Sequence, residues 1–134
     1  MSGTIEAPDG FRSALKGFQL GYIFTYASRL PFNVVLGSDR NFDTNNNDRS
    51  VGVGRNTGRG FDYSSLDLHL RKEFTLREGL KLQLIAEGFN MLNRSNLGVP
   101  NNTYGAGVVP LITFGQATAA FDARQFQFGM RFSF

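Results

Sequence analysis

Cysteine and tryptophan are absent from the 134-residue chain, and histidine occurs once, at His69. The first absence excludes disulfides and zinc–thiolate centres, and a lone imidazole without a second His or Cys leaves no ordinary zinc site. Long apolar runs are missing too. None approaches the ~18 residues of a membrane-spanning helix, so any passage through a bilayer must be made by strands. Fourteen Lys and Arg against 11 Asp and Glu leave a net charge of +3. The basic residues stand singly rather than in a stripe, which argues against a nucleic-acid partner. The opening MSGTIEAPDG has no basic segment followed by an apolar one, so no export signal is visible. The expectation is that the chain is the tail of a longer protein.

What is plentiful is Phe, with 14, and Gly, with 16, and the Phe residues alternate with polar ones. In residues 125–134, Phe126, Phe128, Met130, Phe132 and Phe134 fall on one face of a strand, and Gln125, Gln127, Gly129, Arg131 and Ser133 on the other. At ~3.4 Å per residue and a tilt of ~40°, about ten residues cross an apolar band ~25 Å tall. Three upstream stretches share the pattern. Phe18, Leu20, Tyr22, Phe24 and Tyr26 oppose Gln19, Gly21, Ile23 and Thr25. In residues 63–74, Leu66, Leu68, Leu70 and Phe74 oppose Ser65, Asp67, His69, Arg71 and Glu73. In residues 80–89, Leu80, Leu82, Leu84, Ala86 and Gly88 oppose Lys81, Gln83, Ile85, Glu87 and Phe89. Lys72 breaks the oily parity, at a place where its stem lies along apolar surface and its ammonium reaches the headgroups.

The connections complete the expected topology. Residues 1–14, with Pro8, Asp9 and Gly10, read as a loop or lead-in, and a strand resumes over 32–36 after the break at Pro31. Residues 77–79 form a tight turn, while 37–60 and 93–123 are long loops, with 108–112 able to pair briefly. The fold class is therefore all-β: an antiparallel meander of about four long strands, the C-terminal part of a transmembrane outer-membrane β-barrel. Short turns of such barrels are periplasmic and long loops extracellular, which puts turn 77–79 and Phe134 on the periplasmic side.

Chemistry is sparse. Ser65, Asp67 and His69 suggest a hydrolytic triad by type, but at i, i+2 and i+4 of one strand they lie ~6.8 Å apart, beyond the ~3 Å that a nucleophile and its base require. They read as a hydrophilic lining, and the chain is not expected to be an enzyme or to hold a cofactor. Asp43, Asn45 and Asn47 have the alternating oxygens of a calcium loop, but Asp48 and Gly54 occupy the places of its Gly and its bidentate Glu. In the Gly-rich run of residues 51–60, Arg55 and Arg59 are candidate contacts for an anionic ligand or lipopolysaccharide.

Two resemblances follow from these residues. Gln127, Gly129, Phe132 and Phe134 fill the places of the C-terminal assembly signal of bacterial outer-membrane barrels, which the barrel-assembly machinery reads by pairing with the strand edge. Residues 17–34, 45–70, 84–96 and the tail together resemble the C-terminal end of TonB-dependent outer-membrane transporters of the Oar-like kind. The stretch EGFNMLN, with Glu87, Phe89, Asn90 and Asn93, is the most telling. That resemblance implies a plugged barrel of about 22 strands in a Gram-negative outer membrane. Its partners would be lipid, the assembly machinery, the remainder of the barrel with its plug, and an inner-membrane energising complex. Two other readings are a four-stranded subunit of an oligomeric pore and a soluble β-sheet ligand-binding module.

Overall fold

A computed structural model describes residues 1–6 and 16–134. Among the described residues there are seven strands: β1 (Ser2–Glu6), β2 (Phe18–Ala27), β3 (Pro31–Phe32), β4 (Gly58–Arg59), β5 (Tyr63–Arg77), β6 (Leu80–Phe89) and β7 (Gln125–Ser133). No helix occurs among the described residues. By contacts the chain divides into two units: the sheet, made of residues 1–26, 64–94 and 122–134, and the loops, made of 27–63 and 95–121.

The sheet has the order β1-β2-β5-β6-β7, in which each long strand lies beside the next long strand of the chain. This is the expected meander, and its registers keep the two faces apart. Leu82, Leu84, Ala86 and Gly88 stand opposite Phe132, Met130, Phe128 and Phe126. On the other side of β6, Leu82, Leu84, Ala86 and Gly88 meet Phe74, Lys72, Leu70 and Leu68. Because side chains alternate along every strand, one such register fixes the whole oily face. β5 and β6 are joined by Glu78 and Gly79. Gly79 has φ +77°, a left-handed backbone that Gly adopts without steric cost, and a register irregularity at Thr75/Arg77 precedes the turn. Ser133 lies opposite Lys81, so the chain's last strand finishes at the same end of the sheet as this turn.

Three local expectations are corrected. Within the stretch read as a lead-in, Ser2–Glu6 is a strand in antiparallel register with Gln19 to Ile23, and it covers the edge of β2. Its sequence, SGTIE, carries one apolar side chain and no alternation, so periodicity could not reveal it. Residues 7–14 lie outside the described residues. The strand expected over 32–36 is reduced to β3, which pairs with β4 inside the 37–60 stretch. Residues 108–112 form no strand.

The loops are built rather than structureless. Val35 bridges to Thr103 in parallel, Leu97 to Ala120 and Pro100 to Ala117. Tyr63 stacks edge-on against Phe121, and Tyr104 against Phe114, each with ring centroids 5.2 Å apart. Asn96 is the largest fully buried side chain among the described residues, at 2 % exposure.

Burial runs opposite to that of a water-soluble domain. Among the described residues Leu36 and Pro100 are the buried apolar side chains, whereas Ser64, Ser65, Asn90 and Asn96 are all buried. Along β7 every residue is exposed, with Phe128 at 78 % and Met130 at 69 %. Side chains of this size gain about 1.5–3 kcal/mol each when removed from water. An apolar face as continuous as this demands a partner phase.

Candidate functional site

The face opposite the Phe residues is a polar lattice tied across strands. His69 Nδ1 lies 2.9 Å from Glu87 Oε1, and these two residues are register partners on β5 and β6. Glu87 in turn stands opposite Gln127 of β7, so the motif glutamate and the first residue of the assembly signal are neighbours. Lower on the same face, Lys81 Nζ donates to Glu73 Oε1 at 3.0 Å and Gln83 Nε2 to Glu73 Oε2 at 2.8 Å. Such cross-strand pairs pin the register by a few tenths to about 1 kcal/mol each. At the β2–β5 junction Gly21 lies against the His69 side chain. There the face hollows to about 410 Å³, lined in part by Thr4, Ile23, Asp67, His69, Glu87 and Phe89.

Ser65, Asp67 and His69 do not form a triad. Ser65 Oγ donates to Asp67 Oδ1 at 2.9 Å, while His69 is engaged by Glu87. Nucleophile and base therefore have different partners, as the strand spacing requires.

The Glu87–Asn93 stretch is where the sheet is locked. Asn90 and Asn93 both have φ +49°, a left-handed conformation that Asn tolerates better than most residues. Asn93 N donates to Asn90 O at 2.7 Å and closes the turn. Asn90, 5 % exposed, then uses every part of itself. Its N–H donates to Asp67 Oδ1 at 2.9 Å, its Nδ2 to Arg94 O at 2.9 Å and Asp122 O at 3.2 Å, and its Oδ1 accepts from Arg94 N at 3.2 Å. Arg94 Nη1 donates to the buried Ser64 Oγ at 3.0 Å. One residue, through its backbone N–H and its side chain, thus ties β5, the turn and the approach to β7. A Cβ at the intervening Gly88 would displace the end of the Met91 side chain and come within 3.3 Å of the Phe126 ring. Phe89, half exposed on the polar face opposite Gln125, lines the hollow. Asp67, Arg94 and Ser64 carry this lock, a role that the sequence reading did not assign to them: Asp67 was weighed there only as part of a triad with Ser65 and His69. Asp67 sits at a polar position like its neighbours, and only its proximity to Asn90 in space sets it apart.

The assembly-signal residues divide by face. Gln127 and Gly129 lie on the polar side, Phe132 on the oily side opposite Leu82, and Phe134 follows the end of β7, fully exposed. Because β7 is an edge of the sheet, its outer edge is unpaired among the described residues.

In the loop unit, Arg55 and Arg59 are both exposed; Arg59 lies on β4 opposite Pro31, and Asn56 N donates to Asn33 Oδ1 at 2.8 Å beside Arg55. The would-be calcium loop spends its carboxylates on its own backbone. Asp39 accepts from Asp43 N and Thr44 N, Asp43 from Asn45 N and Asn41 Nδ2, and Asp48 from Arg40 N and Asn41 N. The Asn45 amide, with Asn41 second, holds the Asp43 carboxyl below its ordinary pKa. No group of three or more metal-ligating His, Cys, Asp or Glu occurs among the described residues.

Residues 46–127 match the family model described as "Outer membrane beta barrel domain". No curated protein and no solved structure matches the chain.

Proposed function

From its membership of the outer membrane beta barrel domain family, which makes the exposed Phe face a lipid-facing wall in the outer membrane, we propose that the chain supplies the C-terminal strands of a TonB-dependent transporter and carries its assembly signal. The observation that bears most on this reading is the Asn90 lock. The EGFNMLN stretch that resembles these transporters is not decoration on a generic strand end. Its two Asn residues adopt the left-handed backbone, and its buried amide joins the start of a long loop to the segment that leads into β7. Transport barrels need large outward loops on a wall that does not open when ligand and plug move, and a hydrogen-bonded clamp at the loop root meets that need.

In this reading the polar lattice of Glu73, His69, Glu87 and Gln127 faces the interior, the long loops meet the exterior, and Arg55 and Arg59 are placed for anionic ligands or lipopolysaccharide. The wall performs no catalysis. Lipid, the remainder of the barrel with its plug, the assembly machinery and an inner-membrane energising complex are its partners. Outer-membrane fractions probed with antibody to residues 93–123 test it. The expected species is a heat-modifiable polypeptide many times longer than 134 residues, whose tryptic peptides include a plug and an energy-coupling segment. A heat-modifiable oligomer made only of this chain would overturn transport of this type and establish the oligomeric pore.

A further inference from the structure

One row of residues crosses the polar face through every strand of the five-stranded sheet: Thr4, Gly21, His69, Glu87 and Gln127. Gly21 is its gap. A Cβ there would stand 3.7 Å from His69 Cβ, an ordinary contact, so crowding does not call for glycine at this point of β2. A glycine inside a strand weakens it, and close approach by a ligand is one reason for its presence. The hollow of about 410 Å³ opens beside that gap. Its walls are of two kinds. Thr4, Asp67, His69 and Glu87 are polar, whereas Ile23 and Phe89, both half exposed, are apolar residues on a face that parity makes polar. Charge decides what such a hollow holds. Ser65 Oγ and the Asn90 N–H both donate to Asp67 Oδ1, and His69 Nδ1 pairs with Glu87 Oε1. Asp67 Oδ2 and Glu87 Oε2 have no partner among the described residues. Even a protonated His69 offsets only one of the two carboxylates, and no Lys or Arg is among the described residues that line the hollow.

We propose that this hollow binds a small organic cation, a guanidinium or primary ammonium on an apolar stem, from the interior of the barrel. The charges complement: the cation's N–H groups donate to the carboxylates of Glu87 and Asp67, bonds that are stronger than those between neutral groups. The Phe89 ring attracts the same positive charge. The shapes complement too, because the space left by Gly21 takes the stem and Ile23 removes part of it from water. The inference rests on the polar face being the inner one, as membership of the barrel family implies, and not on the transport reading. A polypeptide without plug or energy-coupling segment leaves it standing, and a failure to bind cations leaves the transport reading standing.

The test uses the full-length protein purified from outer membranes in detergent, titrated with butylguanidinium and, separately, with its uncharged isostere butylurea, binding being followed by saturation-transfer NMR of the probe. Butylguanidinium should bind saturably and about tenfold more tightly than butylurea, the difference expected when hydrogen bonds to charged groups replace neutral ones. Glu87→Gln, which keeps an acceptor for His69, should weaken butylguanidinium by about tenfold. Gly21→Val, which fills the gap and removes no charge, should weaken it as well. Glu6→Gln, which neutralises a carboxylate outside the hollow on the strand that carries Thr4, should leave the affinity unchanged. Equal affinity for the two probes, or wild-type affinity in Gly21→Val, overturns the proposal. So does saturable binding of glucose without binding of butylguanidinium, which would make the hollow a site for neutral hydroxylated solutes. If wild type binds no probe, the hollow is filled from within the protein and the proposal falls. Should Glu87→Gln yield no folded barrel, Gly21→Val and the two probes decide.

Discussion

The backbone N–H of Asn90 donates to the carboxylate of Asp67 at 2.9 Å, joining the left-handed turn after β6 to the polar face of β5. This bond and the four partners of the Asn90 side chain and turn make the position doubly demanding, since it needs both a positive φ and an amide. Asn90→Gly keeps the first and loses the second; Asn90→Ala loses both. Unsatisfied buried partners cost about 1–3 kcal/mol, and a left-handed backbone without Asn or Gly adds about 1–2 kcal/mol. Urea unfolding of the full-length barrel in lipid vesicles should rank wild type above Asn90→Gly and Asn90→Ala last. An Asn90→Ala midpoint equal to that of wild type would remove the lock from the account.

A second expectation compares neighbours on β7. Gln127 and Phe128 are adjacent in sequence and point to opposite faces. Arg on the lipid face near the bilayer midplane costs about 2–4 kcal/mol, whereas a lumen position stays hydrated. Phe128→Arg should therefore destabilise the inserted barrel by roughly that amount, with little change for Gln127→Arg. Ser65, although polar by parity, is unsuitable for this comparison because it is 4 % exposed and bonded to Asp67. Equal unfolding midpoints would mean that neither face meets lipid, and a lower midpoint for Gln127→Arg would mean that the faces are reversed.

These two cases show what a linear reading reaches. Alternation is a property of consecutive residues, and lipid-facing strands must keep it, so β2, β5, β6 and β7 and their faces are legible from residue order alone. β1 escapes because its five residues pair through backbone and need no oily side chains at alternate positions. The loops escape for another reason. Their order comes from side chain to backbone bonds of Asp39, Asp43 and Asp48, and from bridges such as Val35 to Thr103, whose partners are separated by tens of residues. The site lies between these extremes. Glu87, Asn90 and Asn93 were visible as a motif, but the reason for Asn90 is geometric, and Asp67, Arg94 and Ser64 appear only when the strands are set side by side.

The Asp43 loop carries a pH dependence with a definite sign. Backbone N–H of Asn45 and the Asn41 amide stabilise the ionised carboxylate, so its folded pKa lies below the ordinary 3.8. A depressed carboxylate pKa contributes stability that is fully present above the unfolded value and is lost as pH falls through the folded one. The loop should keep its order at neutral and mildly acidic pH and loosen only below 3.8. Hydrogen exchange at residues 41–48, corrected for intrinsic rates, should accelerate in that window, and Asp43→Asn should abolish the acceleration. Loosening already at pH values well above the ordinary carboxylate range would assign it to another group.

The last prediction sets packing against assembly at the two ends of β7. In the folded sheet Phe126 is the better packed: its ring meets Gly88 and it lies within the strand, while Phe134 follows the strand and is fully exposed. Packing alone therefore predicts that Phe126→Leu hurts more than removal of Phe134, and within the sheet each change alters apolar burial by about 1–2 kcal/mol at most. An assembly signal predicts the reverse order. The machinery must engage the outer edge of β7 before the barrel closes, and Phe134, with Phe132, Gly129 and Gln127, is what the edge presents at its end. Deleting Phe134 from the full-length protein should lower the heat-modifiable, folded barrel recovered from outer membranes far more than Phe126→Leu, while barrels that do insert unfold at similar urea concentrations. Separating yield from stability distinguishes the causes, because a packing defect lowers both and a recognition defect lowers yield alone. Comparable yields for the two variants would show that the final strand is read no differently from any other strand of the wall.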